Sequence, residues 1–524
     1  MNWFAKKKIK INSLENKIKT DDFHFDLINY YFENKNHEDD FQTISNQIMR
    51  DIDFHELFGW IDRTHSKVGQ QYFYNQLLTI NKNLNFDEQE NIIEYFILNE
   101  ANRLKAQSLL SKLNKRNSYY LSNLFLDGYI SKPKWFWLIG ILSFIGFSSL
   151  ILTFFYNYIF VLLLIVYIIN IAIHFWNKNN ILVYNDSIPQ LPVLCKITKI
   201  FTTMDFLQTS KKSVLSAVAS INELKYAIKF FKVDTSIIKS DVELAFLFLW
   251  EMTKVLFLIE PLVVFYVLKR LESKKNDIQI LFEYAGKIDC ALAVNSIRAG
   301  APYFCKPEFN KTHHSFGFID MYHPLIPDCV PNSLQINGKS ILLTGSNMSG
   351  KTTFIRTVAI NIMLAQTINT SLAKTFQLPQ TRLFSAIRIS DDLLNDKSYY
   401  FEEVLTVKNI LIESRLQFHN VFFLDEIFKG TNTMERIAAG KAVLSYLAKS
   451  DNNIVFVSTH DIELTDLLSN EYDLYHFMET VQNKQIHFDY QLKPGKLYTK
   501  NAIRILEIND YPLEVIEEAR AITG

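Results

Sequence analysis

Nine consecutive residues, Gly345-Ser346-Asn347-Met348-Ser349-Gly350-Lys351-Thr352-Thr353, have the types and spacing of a phosphate grip. In the pattern G-x4-G-K-T the glycines let the backbone wrap an anion so that several N–H groups point inward. The helix that follows presents its positive end to the same anion. Lys351 would neutralise the β- and γ-phosphates of a nucleotide such as ATP, and the Thr352 hydroxyl would ligate Mg2+. Further along, the apolar run Val421–Leu424 closes in Asp425-Glu426. Asp425 at a strand tip would hold the Mg2+ directly or through water, and Glu426 would polarise the attacking water as general base. A third apolar run, Ile454–Val457, ends in Ser458-Thr459-His460. His460 either senses the γ-phosphate or serves a structural purpose, and spacing alone leaves both open.

These groups can act together only if strands and helices bring them to one rim. From about Lys311, β-rich runs (SILLT, VFFLDE, NIVFVSTH) alternate with helical ones (TTFIRTVAINIMLAQ, MERIAAGKAVLSYLAK). Continuously apolar strands alternating with helices predict a parallel sheet covered on both faces. Upstream, Phe41 to Leu126 and Ser210 to Ile297 carry apolar residues at three- and four-residue spacing, which predicts long helices. Only 15 Gly and 12 Pro in 524 residues agree with that, since both break helices and average about 7% and 5% of a protein.

Fifty-five Lys and Arg balance 55 Asp and Glu. The balance excludes a polybasic coat or an acidic tail as the defining feature and restricts any DNA contact to a local basic surface. With 48% apolar and 21% charged residues, the chain as a whole is not disordered. Cys195, Cys290, Cys305 and Cys329 lie far apart without zinc spacing and read as reduced core thiols. The basic N-terminus is followed by no apolar segment, so it does not read as a signal peptide.

From Trp135 to Asn177 the sequence runs 43 residues without one Asp, Glu, Lys or Arg. A bilayer-spanning helix needs roughly 20 residues, so two spans and a tight turn near Tyr156-Asn157-Tyr158 are expected. Trp135 and Trp137, Phe155 and Tyr156, and Phe175 and Trp176 stand where the interfaces would be. Lys132, Lys134 and Lys178 flank the stretch and place both ends on the cytoplasmic side. A second apolar region, Ala245 to Leu268, carries Glu251, Lys254, Glu260 and Pro261. Charges at that density are costly in lipid, so this region is expected to form buried helices outside the membrane.

Taken together, the motifs resemble the MutS family of mismatch-repair ATPases. GSNMSGKTT is similar to the family's GPNMGGKST, with Asn347-Met348 as its distinctive pair. DEIFKGTNTMER (Asp425 to Arg436) resembles DEIGRGTST, STHDIELTDLL matches a THxxELT segment, and ISDDLLNDKSYYFEEV (Ile389 to Val404) looks like ASDDLxxGxSTFxxEM. The resemblance implies an ABC-type ATPase domain, and a homodimer in which Ser398 is presented to the partner subunit's nucleotide. HPLIP at His323 and the following VPNSLQI imply that Val330 and Asn332 lie on the adenine side. Arg50 to Leu77 is similar to the opening of the family's helical core. Only about 45 residues stand where mismatch-reading and connector domains would precede that core, so mismatch recognition is not carried over.

The expected layout is multidomain. A polar segment (1–45) leads into a first core part (46–134), two transmembrane helices (135–177), a second core and lever part (178–312), and an α/β P-loop ATPase domain (313–524). The implied function is a membrane-anchored ATPase acting on double-stranded or branched DNA or, alternatively, on a protein partner.

Overall fold

The computed structural model of the chain describes residues 18–19, 22–126, 128, 133–180, 182–204, 206, 210–229, 241–310, 316–346, 348–388, 399–482, 485–497 and 502–523. Its amino-terminal half is helical. Helix α1 (Lys67–Leu78) packs against α6 (Lys275–Gly300), the longest helix described. Asp289 of α6 is buried, and such a carboxylate needs partners. It accepts hydrogen bonds from the backbone N–H groups of His65 and Ser66, both at 2.8 Å, and from the Ser66 hydroxyl at 2.6 Å. Ser66 in turn accepts from Gly69 N–H at 2.8 Å and caps α1, a standard use of serine at a helix start. A side chain at position 69 would collide with Asp289, its Cβ falling 2.1 Å from the carboxylate. Glycine is therefore what lets the two helices approach.

Between these elements stand two apolar helices, α2 (Trp137–Thr153) and α3 (Ile159–Asn180), joined at 154–158. The Trp135 and Trp176 rings meet at 4.7 Å, so the pair folds back on itself. At 1.5 Å per residue the two helices run about 25 and 33 Å. Within α3, Ile159–Asn177 is long and apolar enough to cross a membrane, and only 11% of its apolar window is buried, whereas α2 is shorter. Phe144, Phe154 and Ile168 are 70%, 85% and 65% exposed.

Helices α4 (Asp241–Leu256) and α5 (Ile259–Glu272) follow. Their apolar stretch departs from the expected burial. Val264, Val267, Leu268 and Leu271 of α5 do join the main core, but Phe248 and Leu249 of α4 are 64% and 62% exposed. Alternation of residue types predicted helices there but not which face they would hide.

The carboxy-terminal half holds a six-stranded sheet assembled from β1 (Ser340–Thr344), β2 (Arg382–Ala386), β3 (Asn420–Asp425), β4 (Asn453–Ser458), β5 (Tyr472–His476) and β6 (Lys493–Pro494). The order across the sheet is β6-β5-β1-β4-β3-β2. Five strands are parallel, as the strand–helix alternation implies, and β6 adds an antiparallel edge. Helices α7 (Lys351–Ile368), α8 (Tyr399–Glu413) and α9 (Thr433–Ala448) intervene. α7 lies on the face that shares one continuous core with the helical half, while α8 and α9 build a separate core on the other. A four-stranded sheet, Glu308–Phe309, Thr375–Leu378, Gly317–Met321 and Asn332–Gln335, stands beside it. Because Glu308–Phe309 pairs with Thr375–Leu378, the β-containing half begins slightly before the boundary at 313.

The two halves are tied by specific bonds. Buried Asp51 accepts from the backbone N–H groups of Ile387 and Arg388 at 3.1 and 2.8 Å. Arg298 of α6 donates to Thr370 Oγ1 and to the Asn369 carbonyl just past α7, both at 2.9 Å, and to both oxygens of Glu90. Burial would raise the Glu90 carboxyl, but hydrogen bonds from Arg298, Lys306 and Asn369 outweigh it and hold it at about 2.

Candidate functional site

β1 ends at Thr344, and the chain turns through Gly345 (φ 146) and Gly350 (φ 104) before α7 starts at Lys351. At Gly345 a Cβ would sit 2.6 Å from Ser349 Oγ and 2.7 Å from the Phe477 carbonyl, so both its backbone angle and its surroundings require glycine. The Lys351 ammonium is buried and donates to the carbonyl oxygens of Gly345 and Ser346 at 2.7 and 2.9 Å. Burial lowers its pKa, while Glu426, Asp425 and Glu479 pull the other way. Ser346 and Ser349 stand where the resembled pattern has proline and glycine. The Ser346 hydroxyl donates to Glu479 at 2.6 Å and Ser349 Oγ to the Ser346 carbonyl at 2.7 Å, closing the loop on itself. Asn347 lies outside the described residues.

β3 and β4 pair with Asp425 opposite Ser458, and β4 lies beside β1. This register carries the acidic tip to the start of α7. Thr352 Oγ1 donates to Asp425 Oδ2 at 2.6 Å, and the Ser458 hydroxyl donates to Asp425 Oδ1. A hydroxyl and a carboxylate in contact form a hard-oxygen pair of the kind that suits Mg2+, which keeps few protein ligands and takes the rest from phosphate and water. The residues fit that ion.

Glu426 follows in the left-handed region (φ 50), a strained setting that a packed site can hold. His460 Nε2 lies 2.6 Å from its Oε1 and Lys429 Nζ 2.7 Å from its Oε2. Burial alone would raise this carboxyl, but the bonds from His460 and Lys429 prevail and keep it at about 2. Glu426 is thus a carboxylate at any physiological pH. The structure brings His460 onto Glu426.

A cavity of about 520 Å³ opens beside the loop, lined by Phe318, Val330, Asn332, Met348, Thr353 and Tyr490 among others. Val330 and Asn332 therefore reach the same site as the phosphate loop. Asn332 is fixed by accepting from Leu492 N–H at 2.7 Å and donating to the Tyr490 carbonyl at 3.0 Å. Ser398 lies outside the described residues.

Four further side chains take part that the residue types and spacing of the motifs do not single out. Glu479 and Tyr490 arrive from the distant end of the chain. Lys429 lies in DEIFKGTNTMER, where spacing alone gives a lysine no function. Glu403 of α8, nearly fully buried, accepts from the Phe428 N–H and braces the turn that carries Glu426 and Lys429. Burial raises its pKa against those backbone bonds. Glu403 lies in the ISDDLLNDKSYYFEEV run (Ile389 to Val404), which is its cue in the sequence.

Residues 341–524 match the family described as MutS domain V. The chain is 29% identical over 269 residues to the DNA mismatch repair protein MutS of Aquifex pyrophilus, a match covering 49% of this chain and 30% of that protein. With the MutS of Bacillus subtilis it shares 29% identity over 231 residues, 42% of this chain and 26% of the relative. With that of Staphylococcus carnosus it shares 29% over 247 residues, 45% and 28%. The chain thus spans less than a third of the curated relatives it matches. Its phosphate loop, its acidic strand tip and this similarity agree: the carboxy-terminal part of the chain, residues 341–524, is a MutS domain V.

Proposed function

We propose that the chain is a membrane-anchored ATPase of MutS type. The observation that carries the ATPase reading is the meeting of Lys351, Thr352, Asp425 and Glu426 at the carboxyl ends of β1 and β3, where open parallel sheets bind ligands. In this reading the backbone between Gly345 and Thr353 cradles the triphosphate, Lys351 turns its ammonium to the β- and γ-phosphates, and Val330, Asn332 and Tyr490 border the base. Thr352 and Asp425 hold Mg2+, which supplies charge neutralisation on the phosphates. Glu426, ionised and shared with His460, orients and polarises the attacking water. Two copies form a homodimer, with the Ser398 segment of each completing the other's site. Nucleotide state is read by the helical half through Arg298 and Asp51, a population shift driven by differential phosphate contacts.

The α2–α3 hairpin is the proposed anchor. It has one side free of charge, aromatic rims, and lengths near the roughly 30 Å of a bilayer core. The lysine flanks put the ATPase on the cytoplasmic side of the membrane. The relatives' name supports action on DNA. A protein partner without DNA is the second reading, favoured by the even charge balance. Binding to homoduplex, mismatched and branched DNA across salt separates them. Phosphate contacts demand a steep negative salt slope, and a flat weak response would remove DNA. For the ATPase itself, Lys351→Ala in the full detergent-solubilised chain should abolish nucleotide binding and turnover. Unchanged binding would refute the site.

A further inference from the structure

We propose that α4 (Asp241–Leu256) is a third lipid-contacting helix, so that the bilayer is met by a three-helix unit rather than by the hairpin alone. The inference rests on the membrane reading of α2 and α3. The sequence argues against it through Glu251, Lys254 and Glu260, and the structure sets a partner beside Lys254 and a histidine beside Glu260, while the Glu251 side chain stays 47% exposed. Lys254 is buried and lies 2.5 Å from Glu251, and Glu260 lies 3.4 Å from His174 of α3. Ionisable groups at membrane depth are found paired with one another in this way.

Three further observations point in the same direction. First, α4 packs along α3, and its side chains Phe248, Leu249 and Trp250 are turned outward. Second, α4 stops where Leu258 adopts a left-handed backbone (φ 47), and a helix end exposes carbonyl groups that lipid cannot satisfy. Fully buried Asn170 of α3 donates its Nδ2 to the Leu256 carbonyl at 2.6 Å. Third, Gly146 of α2 faces the same carbonyl, and a Cβ there would come within 3.0 Å of it. Small residues and interhelical amide bonds are how helices associate where water is excluded. The partner this surface fits is the acyl-chain interior of a bilayer. Through α5 the contact is covalently continuous with α6, the helix that meets the ATPase half at Arg298.

The test uses the full chain with its four native cysteines replaced, reconstituted in phosphatidylcholine–phosphatidylglycerol vesicles, with a membrane-impermeant maleimide on both faces. Single cysteines replace Phe144 on α2, Phe248 and Leu249 on α4, and exposed Tyr226 as the aqueous reference. The expectation is that Phe248→Cys and Leu249→Cys label at least tenfold more slowly than Tyr226→Cys, as Phe144→Cys does, and recover on detergent addition. Fast labelling at Phe248→Cys and Leu249→Cys with Phe144→Cys protected overturns the third helix and leaves the hairpin anchor standing. Fast labelling at all three overturns both. Should the cysteine-free chain fail to fold, brominated acyl chains replace the maleimide. Quenching of the unaltered chain that falls in Trp250→Phe supports the proposal, and equal quenching overturns it.

Discussion

Lys351 and Ile168 answer to opposite demands within one chain. Lys351 is buried among carbonyl oxygens and carboxylates, and neither its identity nor its position can change without altering what the loop can grip. Ile168 is 65% exposed among other apolar side chains, and any uncharged residue of similar size would serve. The nucleotide rim is specified by residue type at fixed spacing, whereas the hairpin is specified by an exclusion of charge over a length. A site of the first kind fails on a single methyl group, and a surface of the second kind fails on a single charge.

That contrast can be broken most sharply at Gly345. Gly345→Ala introduces a Cβ against Ser349 and the Phe477 carbonyl at a positive φ. ATP affinity should fall about a thousandfold, roughly 4 kcal/mol at 1.4 kcal/mol per tenfold. Retained affinity, measured by nucleotide titration, would show that the loop tolerates what its geometry forbids. On the other side of the comparison, Ile168→Arg should cost about 3 kcal/mol of membrane insertion and move protein from the membrane fraction. On a water-exposed surface the same change stays within about 0.5 kcal/mol, and unaltered fractionation would deny the anchor.

The smallest effect sharpens the border of the rim. Burial, with Arg356 nearby and Asp53 opposing, lowers the His323 pKa to about 4. A histidine depressed in the folded state keeps its full contribution above the unfolded value near 6.5 and loses it as pH falls towards 4. About 2 kcal/mol should be lost between pH 6.5 and 5, at 1.36 kcal/mol per pH unit. His323→Asn can still accept from Leu325 N–H, the bond His323 makes at 3.2 Å, and should flatten that part of the stability–pH curve. An unchanged slope would assign the dependence elsewhere.

The sequence made the rim legible because phosphate chemistry forces glycine, lysine and acid into short contiguous runs, and strand ends carry them to a common edge. The parallel sheet and α7 and α9 followed from the same runs. What lay beyond reading came from tertiary contact. Glu479 and Tyr490 reach the site from strands and loops that no local pattern links to Gly345. Nor does composition reveal that Lys429 and His460 share Glu426. The exposure of α4 lies beyond the sequence for a related reason. Glu251, Lys254 and Glu260 stand apart in the sequence, and only the fold shows Lys254 against Glu251 and Phe248 and Leu249 turned outward.

The most direct test of the ATPase assignment is single-turnover hydrolysis by Glu426→Gln, mixed with ATP and magnesium in the full chain. If Glu426 polarises the attacking water, ATP stays bound with near wild-type affinity and is recovered uncleaved long after the unaltered protein has turned it over. Cleavage at the wild-type rate would contradict the account, because the carboxylate held by His460 and Lys429 would then have no part in the reaction.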